Sequence, residues 1–297
     1  MRSAFCFRDI TRGLLRKSGG RFVFGLRSAG IPARFERPAR TVTLLLLNMV
    51  NSLSSIASHA IDAALALVYP QACTVCGRSI ESRHDGVACS RCWDESPLFR
   101  GDEALCWKCG ALSLASVSEH KRKTIRCGRC DDDAFTAARA CGLYEGALRV
   151  SILELKRQPH VARRVAQLMY ELQQREPLNS ADLIIPIPLH PERERERGFN
   201  QACVLARELS RLSGLRMDEH SVGRRVHTER HRAGMDAKAR RRSVANAFAV
   251  RHADLVSGRR VLLVDDVFTT GATVSACAAV LNENGAEEVF VLTLGRA

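Results

Sequence analysis

The chain has 297 residues, enough for one or two domains with a substantial buried core. Hydrophobic residues make up 46% and charged residues 26%, which is typical of a globular protein, whereas only 5% are aromatic. The formal net charge is +13, but residues 1–40 alone hold ten Arg or Lys against two acidic residues. The charge therefore indicates a basic arm and is weak evidence for a nucleic-acid-binding surface.

Residues 1–50 contain this basic arm and end in the apolar run TVTLLLLNMV. A basic stretch before an apolar run resembles a secretory signal, but this basic region is too long and polar residues soon interrupt the run. No stretch reaches the roughly 20 apolar residues that cross a bilayer, so we expect no membrane span and a cytoplasmic protein. We interpret the segment as a disordered arm or as the result of a start codon set too early.

Residues 51–70 have apolar side chains at helical spacing, from Leu53 to Val68, and Pro70 ends the pattern. This spacing predicts an amphipathic helix that packs on the segment after it.

Residues 71–131 are rich in cysteine and glycine, and eight of the chain's 12 cysteines lie here in four CxxC pairs. The pairs form two sets: Cys73, Cys76, Cys89 and Cys92, then Cys106, Cys109, Cys127 and Cys130. Two CxxC turns bring four thiolates to one tetrahedral zinc ion, at about 2.3 Å. So many pairs in one short segment favour zinc in a reducing compartment over disulfides.

The spacing leaves the zinc pairing open, because each set can bind its own ion or the two sets can interleave. In either arrangement the protein fills all four positions around each ion, which predicts two structural zinc sites. Cys203 and Cys277 lie outside both sets on predicted helices, where we expect them to be packing residues.

Residues 135–297 alternate between strand and helix patterns. Short apolar runs predict buried strands at 182–188, 261–266 and 288–295. Helical spacing predicts helices at 148–155, 161–172, 199–213 and 272–284. The alternation predicts an α/β domain with a doubly wound, mainly parallel sheet, preceded by the small Cys₄ zinc module.

The segment VLLVDDVFTTGAT (residues 261–273) carries the strongest functional signal. A buried strand ends in Asp265 and Asp266, and ligands of open α/β sheets bind beyond such strand ends. The following loop, Thr269–Thr273, offers backbone N–H groups and hydroxyls to a phosphate at a helix N-terminus. A pair of aspartates alone would also suit a Mg²⁺ site or a turn, so the full string is what points to phosphate binding.

This string resembles the signature of the type I phosphoribosyltransferases. The resemblance implies that Asp265 and Asp266 accept hydrogen bonds from ribose hydroxyls of 5-phosphoribosyl 1-pyrophosphate. It implies that the loop binds the 5′-phosphate, through Thr269, Thr270, Gly271, Ala272 and Thr273. Mg²⁺ would bridge the pyrophosphate, since it prefers hard oxygen ligands.

Two further segments, LIIPIPLHP (183–191) and PERERERGFNQ (191–201), resemble the ComF/GntX family of competence-related proteins. The likeness runs from about residue 55 to 297 and includes the P-x-x-C-x-x-C opening at Pro70. Members of that family join a cysteine-rich zinc module to a phosphoribosyltransferase domain. The resemblance therefore implies a module at 71–131 and a phosphoribosyltransferase-like domain at 135–297.

Four cations are candidates for the pyrophosphate. Arg193, Arg195 and Arg197 lie in the arginine-rich segment and would fold over the ligand as a mobile lid, with Gly198 as the hinge. The alternative is a solvated charged stretch, because glutamates alternate with these arginines. Lys156 matches a family lysine that reaches the pyrophosphate, or is a helix lysine extended toward water.

The sequence departs from the family pattern in two places. Where the family has T-x-x-Q, Thr228–His231 ends in His, and Ser243 stands where Asn is usual ahead of Ala247 and Phe248. These changes put recognition of a nucleobase or other acceptor in doubt.

Two functions follow. One is an enzyme that transfers phosphoribosyl from 5-phosphoribosyl 1-pyrophosphate to an unidentified acceptor. The other is a non-catalytic or regulatory protein of DNA uptake that binds single-stranded DNA or competence proteins. Single-strand binding commonly uses a basic track with interleaved aromatic residues, and the sequence lacks one.

Overall fold

A computed structural model of the chain describes residues 71–113, 119–225 and 246–297. The predicted arm (1–50), the predicted amphipathic helix (51–70) and the family departures at Thr228–His231 and Ser243 lie outside the described residues. Within the described ranges, no helix has the length and apolar character needed to cross a membrane.

A sheet of five parallel strands forms the centre of the fold. From one edge to the other, the strands are β1 (Ala137–Leu143), β7 (Glu288–Arg296), β6 (Arg260–Phe268), β2 (Leu183–Pro186) and β3 (Arg216–Met217). β6 is central and pairs with β2 on one side and β7 on the other. Its residues 261–264 are fully buried, as expected of a strand covered on both faces.

Helices cover both faces of this sheet. The longer helices are α2 (Gly146–Leu155), α3 (Arg163–Gln173), α5 (Gln201–Ser213) and α7 (Ala272–Glu283). Helices α2, α3 and α5 share one apolar core with alternate residues of β6 and β7, and α7 packs into the core on the opposite face. The predicted doubly wound parallel sheet is therefore confirmed.

Shorter elements complete the described part of the chain. They are α1 (Ser90–Asp94), α4 (Pro191–Arg197), α6 (Ala253–Val256), and 3₁₀ helices at Arg83–Asp85, Glu119–Thr124 and Leu178–Ser180. Two strands, β4 (Val222–Arg224) and β5 (Phe248–Val250), form a separate antiparallel pair. The sequence patterns did not predict β1, β3, β4 or β5.

The two cysteine sets pack against opposite faces of the sheet. Cys73, Cys89, Cys92 and the fully buried Trp93 belong to the core that contains α2 and α3. Cys106, Cys109 and Cys130 belong to the core that contains α7. Each cysteine set is therefore continuous with one core of the α/β domain.

The link between the two cysteine sets joins β1 at Gly142. Leu98 bridges Gly142, and the neighbouring bonds run from Phe99 N to Cys141 O and from Leu143 N to Pro97 O. A Cβ atom on Gly142 would lie 2.5 Å from Pro97 O and 2.9 Å from Leu98 Cα. Only glycine allows this approach of the two backbones.

We expect Gly142→Ala to lower the free energy of unfolding by about 3 kcal/mol, because backbone atoms must move apart in a buried region. Urea denaturation measures the change. Gly214→Ala is the matched control, since its Cβ meets open space and only its φ of 74° opposes alanine, a cost of about 1 kcal/mol. Equal losses in the two variants would contradict this account of Gly142.

Candidate functional site

The eight predicted cysteines form two clusters of four. In each cluster the four Sγ atoms lie within 4.8 Å of one another. The Sγ–Sγ distances are 3.8 Å for Cys73–Cys92, 3.7 Å for Cys76–Cys89, 3.7 Å for Cys106–Cys130 and 3.6 Å for Cys109–Cys127. Four sulfurs at 2.3 Å from a tetrahedral ion are about 3.8 Å apart, so both clusters fit zinc.

The clusters also decide the pairing that the sequence left open. Each cluster contains two consecutive CxxC pairs, so the sets are sequential and do not interleave. The same turn opens both: Gly77 N donates to Cys73 O and Gly110 N donates to Cys106 O, each at 2.8 Å. Both glycines have positive φ, at 74° and 69°, which explains why glycine follows the second cysteine of each turn.

Three cysteines of the described ranges lie outside the clusters. Burial raises the pKa of Cys141 and of Cys203 to about 12, and it raises that of Cys277 as well. A thiol that stays protonated at neutral pH is a poor nucleophile. Cys203 lies on α5 and the fully buried Cys277 on α7, as packing residues would.

Asp265 and Asp266 lie near the carboxyl end of β6, where a parallel sheet presents its ligand-binding residues. Lys156 is the C-cap residue that follows α2. Its side chain reaches this edge, and its Nζ lies 3.1 Å from Asp266 Oδ2. The backbone N–H of Asp266 donates to Asp265 Oδ1 at 2.9 Å. The structure thus brings together three of the predicted site residues from two distant segments.

The two carboxyl groups have different environments. Burial, and after it the neighbouring charge of Asp266, raise the pKa of Asp265 to about 8, although the Asp266 N–H and Lys156 oppose the shift. Asp266 instead forms a salt bridge with Lys156, at 3.1 Å between Oδ2 and Nζ. Asp265 therefore holds a proton at neutral pH until a cation or a hydrogen-bond donor stabilises its charged form.

The predicted phosphate loop follows directly and leads into α7. Gly271 precedes the helix with a φ of 78°, and Ala272 N donates weakly to Thr270 Oγ1, at 3.4 Å. Thr269 is exposed, and Thr273 lies in the first turn of α7. A twelve-residue helix carries partial positive charge and N–H groups without helical partners at this end, which suits an anion.

The predicted arginine lid is a short helix, α4. Pro191 opens it, glutamates fill its first turn and arginines its last, and Gly198 ends it in the left-handed conformation, with φ 82°. Arg193 is half-buried, whereas Arg197 is exposed. That α4 moves as a lid stays a prediction.

Arg224 is a candidate site residue that sequence reasoning missed. It lies on β4, with its guanidinium 5.4 Å from the Phe248 ring centre. Burial lowers the pKa of Arg224, the like charge of Arg193 lowers it further, and Asp265 opposes the shift. Arg224 therefore interacts electrostatically with both Arg193 of α4 and Asp265 of β6. Only the tertiary fold brings these three residues near one another.

A cavity of about 510 Å³ lies beside Arg224. The ends of β2, α4, α5 and the β4–β5 pair enclose it, with side chains that include Pro188, Glu194, Phe199, Cys203, Arg207, Glu219 and Arg251. Its mixture of charged and apolar groups suits a polar organic molecule.

Comparison with known proteins agrees with these observations. Residues 64–131 match the double zinc ribbon domain family, and residues 151–296 match the phosphoribosyl transferase domain family. The chain is 32% identical to DNA utilization protein YhgH of Escherichia coli O157:H7 over 239 residues, which are 77% of this chain and 99% of the relative.

Two other relatives carry competence names. The chain is 32% identical to competence protein F of Haemophilus influenzae over 234 residues, 76% of this chain and 96% of the relative. It is 35% identical to competence protein ComFC of Bacillus subtilis over 119 residues, 39% of this chain and 45% of the relative.

The fold and the two Cys₄ clusters define a protein in which a double zinc ribbon precedes a phosphoribosyltransferase domain. Similarity to competence protein F and to the YhgH protein, over nearly their whole length and about three quarters of this chain, shows the family. The chain belongs to the ComF family.

We expect the protein to contain two zinc ions, paired sequentially. Cys76→Ser combined with Cys89→Ser should leave one ion, because both substitutions fall in the first cluster. Cys76→Ser combined with Cys109→Ser should leave none, because each cluster then loses a ligand. Zinc analysis of the purified variants measures this, and the reverse result would indicate interleaved sites.

We expect Asp265→Asn to stabilise the protein as pH rises. Native Asp265 keeps its proton to about pH 8, whereas the unfolded chain releases it near pH 4. Wild-type stability therefore falls through this window, by about 1.4 kcal/mol per pH unit at most, and the asparagine variant escapes that loss.

Urea denaturation at pH 6 and pH 8 tests this. The stability of Asp265→Asn relative to wild type should increase by about 2 kcal/mol between the two pH values. Asp266→Asn is the control, because it removes the partner of Lys156 and should give no such gain. An unchanged difference between wild type and Asp265→Asn would refute the protonated state of Asp265.

Proposed function

We propose that this protein binds 5-phosphoribosyl 1-pyrophosphate with Mg²⁺ at the carboxyl end of β6 and transfers the phosphoribosyl group to an acceptor. The observation that carries the proposal is the position of Asp265 and Asp266, which lie beside Lys156 and shortly before the predicted phosphate loop at the start of α7. This arrangement offers acceptors for ribose hydroxyls, a cation for a phosphate and N–H groups for a second phosphate.

The 5′-phosphate would lie against the loop Thr269–Thr273. Backbone N–H groups of the first turn of α7 would donate to its oxygens, together with the hydroxyls of Thr270 and Thr273. The ribose hydroxyls would then donate to Asp265 and Asp266, which lie on β6 a few residues before the loop. Donation to Asp265 favours its charged form, so ligand binding and loss of its proton support each other.

The pyrophosphate would lie among the cations. Lys156 is on one side of the aspartate pair, and Arg224 with Arg193 is near Asp265. The carboxylates are hard oxygen donors of the kind that Mg²⁺ accepts, which fits a magnesium-bound ligand. When bound, Mg²⁺ would neutralise part of the pyrophosphate charge.

In the transfer, the bond between C1 of the ribose and the pyrophosphate oxygen breaks, and its electron pair leaves with the pyrophosphate. A lone pair of the acceptor, a nitrogen in our proposal, forms the new bond to C1, and the acceptor's proton passes to solvent or the pyrophosphate. Lys156 and Arg224 would stabilise the charge that develops on the leaving group, which is an electrostatic contribution to catalysis. The cavity beside Arg224 provides room for an acceptor.

The second candidate is a binding protein without turnover that acts on single-stranded DNA. The names of its relatives favour it, because they concern DNA utilization and competence. In either case thiolate zinc ligands fit the reducing cytoplasm, the location that we propose.

We expect calorimetric titration with 5-phosphoribosyl 1-pyrophosphate and Mg²⁺ to detect binding by the full chain. The double variant Asp265→Asn/Asp266→Asn should weaken it by at least about 30-fold, since charge-assisted hydrogen bonds worth about 2 kcal/mol are lost. Asp254→Asn is the matched control, because Asp254 is exposed on α6 and should leave affinity unchanged.

Pyrophosphate release, assayed with nucleobases and small amines as acceptors, tests the transfer. We expect release with at least one acceptor and none from the double variant. Binding without release from any acceptor, together with salt-dependent affinity for single-stranded DNA, would favour the binding protein instead. Absence of binding in the titration would reject both the ligand and the site.

A further inference from the structure

The second cysteine cluster is in contact with the end of the sheet that carries the phosphate loop. Arg296, near the end of β7, donates through Nη1 to the backbone oxygen of Cys109 and through Nη2 to Cys109 Sγ, at 3.7 Å. The same guanidinium lies 4.6 Å from the ring centre of Phe268, the last residue of β6. One side chain thus joins a zinc ligand to the residue that precedes the loop.

Phe268 in turn packs against the loop at Gly271. It is 4% exposed, and a Cβ atom on Gly271 would lie 2.7 Å from its Cζ atom. Phe135 holds the ring edge-to-face, with centroids 5.9 Å apart, and the backbone N–H of Ala297 donates to Phe268 O at 3.0 Å. The position of Gly271, and with it the start of α7, depends on where this ring lies.

A second connection runs through the segment that follows Cys130. The backbone N–H of Ala134 donates to Ser275 Oγ at 3.0 Å, in the first turn of α7. Asn282 Nδ2, near the end of α7, donates to the backbone oxygen of Ala134 at 2.8 Å. The helix whose N-terminus forms the phosphate loop is therefore tied at both ends to the chain leaving the second cluster.

The first ribbon also contacts an arginine of the α/β domain, but through different groups. Arg164, on α3, lies 3.1 Å from Asp85 and 3.2 Å from Asp94, with its guanidinium 5.3 Å from the Trp93 ring centre. Arg164 thus ties the first ribbon to α3 through carboxylates, whereas Arg296 contacts a cysteine of the second cluster directly.

We infer that Arg296 is a positioning residue that couples the second Cys₄ cluster to the phosphate loop, so that zinc in this cluster and phosphate at the loop stabilise each other. The inference rests on the proposed function for its account of what the loop binds. Outer contacts of this type orient metal ligands and the groups that surround them. Coupling between two sites is reciprocal, so zinc and phosphate should each raise the binding affinity of the other by the same factor.

Hydrogen exchange of the ligand-free protein tests the coupling without any assumption about the ligand. We expect Arg296→Gln to speed amide exchange in residues 269–275 at least about tenfold, while the first ribbon stays unchanged. Arg164→Gln is the matched control and should affect α1 and α3 instead. Phe268→Leu, which removes the ring beneath Gly271 and leaves Arg296 intact, should reproduce the effect on the loop with both zinc ions retained.

Release of zinc to a chelator gives the reciprocal measurement. Ribose 5-phosphate should slow release of one of the two ions at least about threefold in the wild type and leave it unchanged in Arg296→Gln, and ribose without phosphate should have no effect. If ribose 5-phosphate binds but exchange in 269–275 is the same in wild type and Arg296→Gln, the coupling is wrong. If exchange changes as expected but neither ribose 5-phosphate nor 5-phosphoribosyl 1-pyrophosphate binds, the positioning of the loop by Arg296 stands, whereas the proposed function and the effect of phosphate on zinc both fail.

Discussion

Two adjacent carboxyl groups at the end of a buried central strand are the constraint on which the rest of the site depends. Two like charges side by side in a partly buried setting are costly, and the fold offsets one with Lys156 at 3.1 Å from Asp266. Burial leaves the other, Asp265, protonated near neutral pH, as its pKa of about 8 indicates. The arrangement lowers the stability of the ligand-free protein. A ligand that donates hydrogen bonds to the two carboxyl groups, or brings a cation, would restore that stability. Strain of this kind is typical of binding sites.

The zinc ribbons are continuous with the α/β domain and are not an appendage. Each cluster contributes cysteines to one of the two apolar cores, on opposite faces of the sheet. The link between them joins the edge strand β1 at Gly142, where the backbones are too close for any side chain. The ribbons therefore cover surface that an open sheet would expose, and the second one also reaches the phosphate loop through Arg296.

Local patterns predicted much of the fold. The apolar runs at β2, β6 and β7 are continuous because parallel strands are buried on both faces, so these strands could be recognised. β1 escaped recognition because AARACGL has small residues and none of the β-branched or large aromatic residues typical of strands. β3, β4 and β5 have two or three residues each, too few to show any period.

The candidate site divides in the same way. The phosphate loop and the CxxC turns are contiguous strings, so sequence alone indicated them. The zinc pairing was left open, because sequential and interleaved sets have the same spacing. Arg224 and Arg296 were missed, since an isolated arginine carries no local signal and its neighbours come from distant segments. Lys156 needed a family resemblance to be noticed, and the structure places it beside Asp266.

A crystal structure of the full chain with ribose 5-phosphate and Mg²⁺ would show whether the sugar phosphate binds at the end of β6. We expect phosphate density against the backbone N–H groups of residues 270–273 and ribose hydroxyls within hydrogen-bond distance of Asp265 and Asp266. A sugar phosphate bound elsewhere, with the β6 end holding only water, would contradict this expectation.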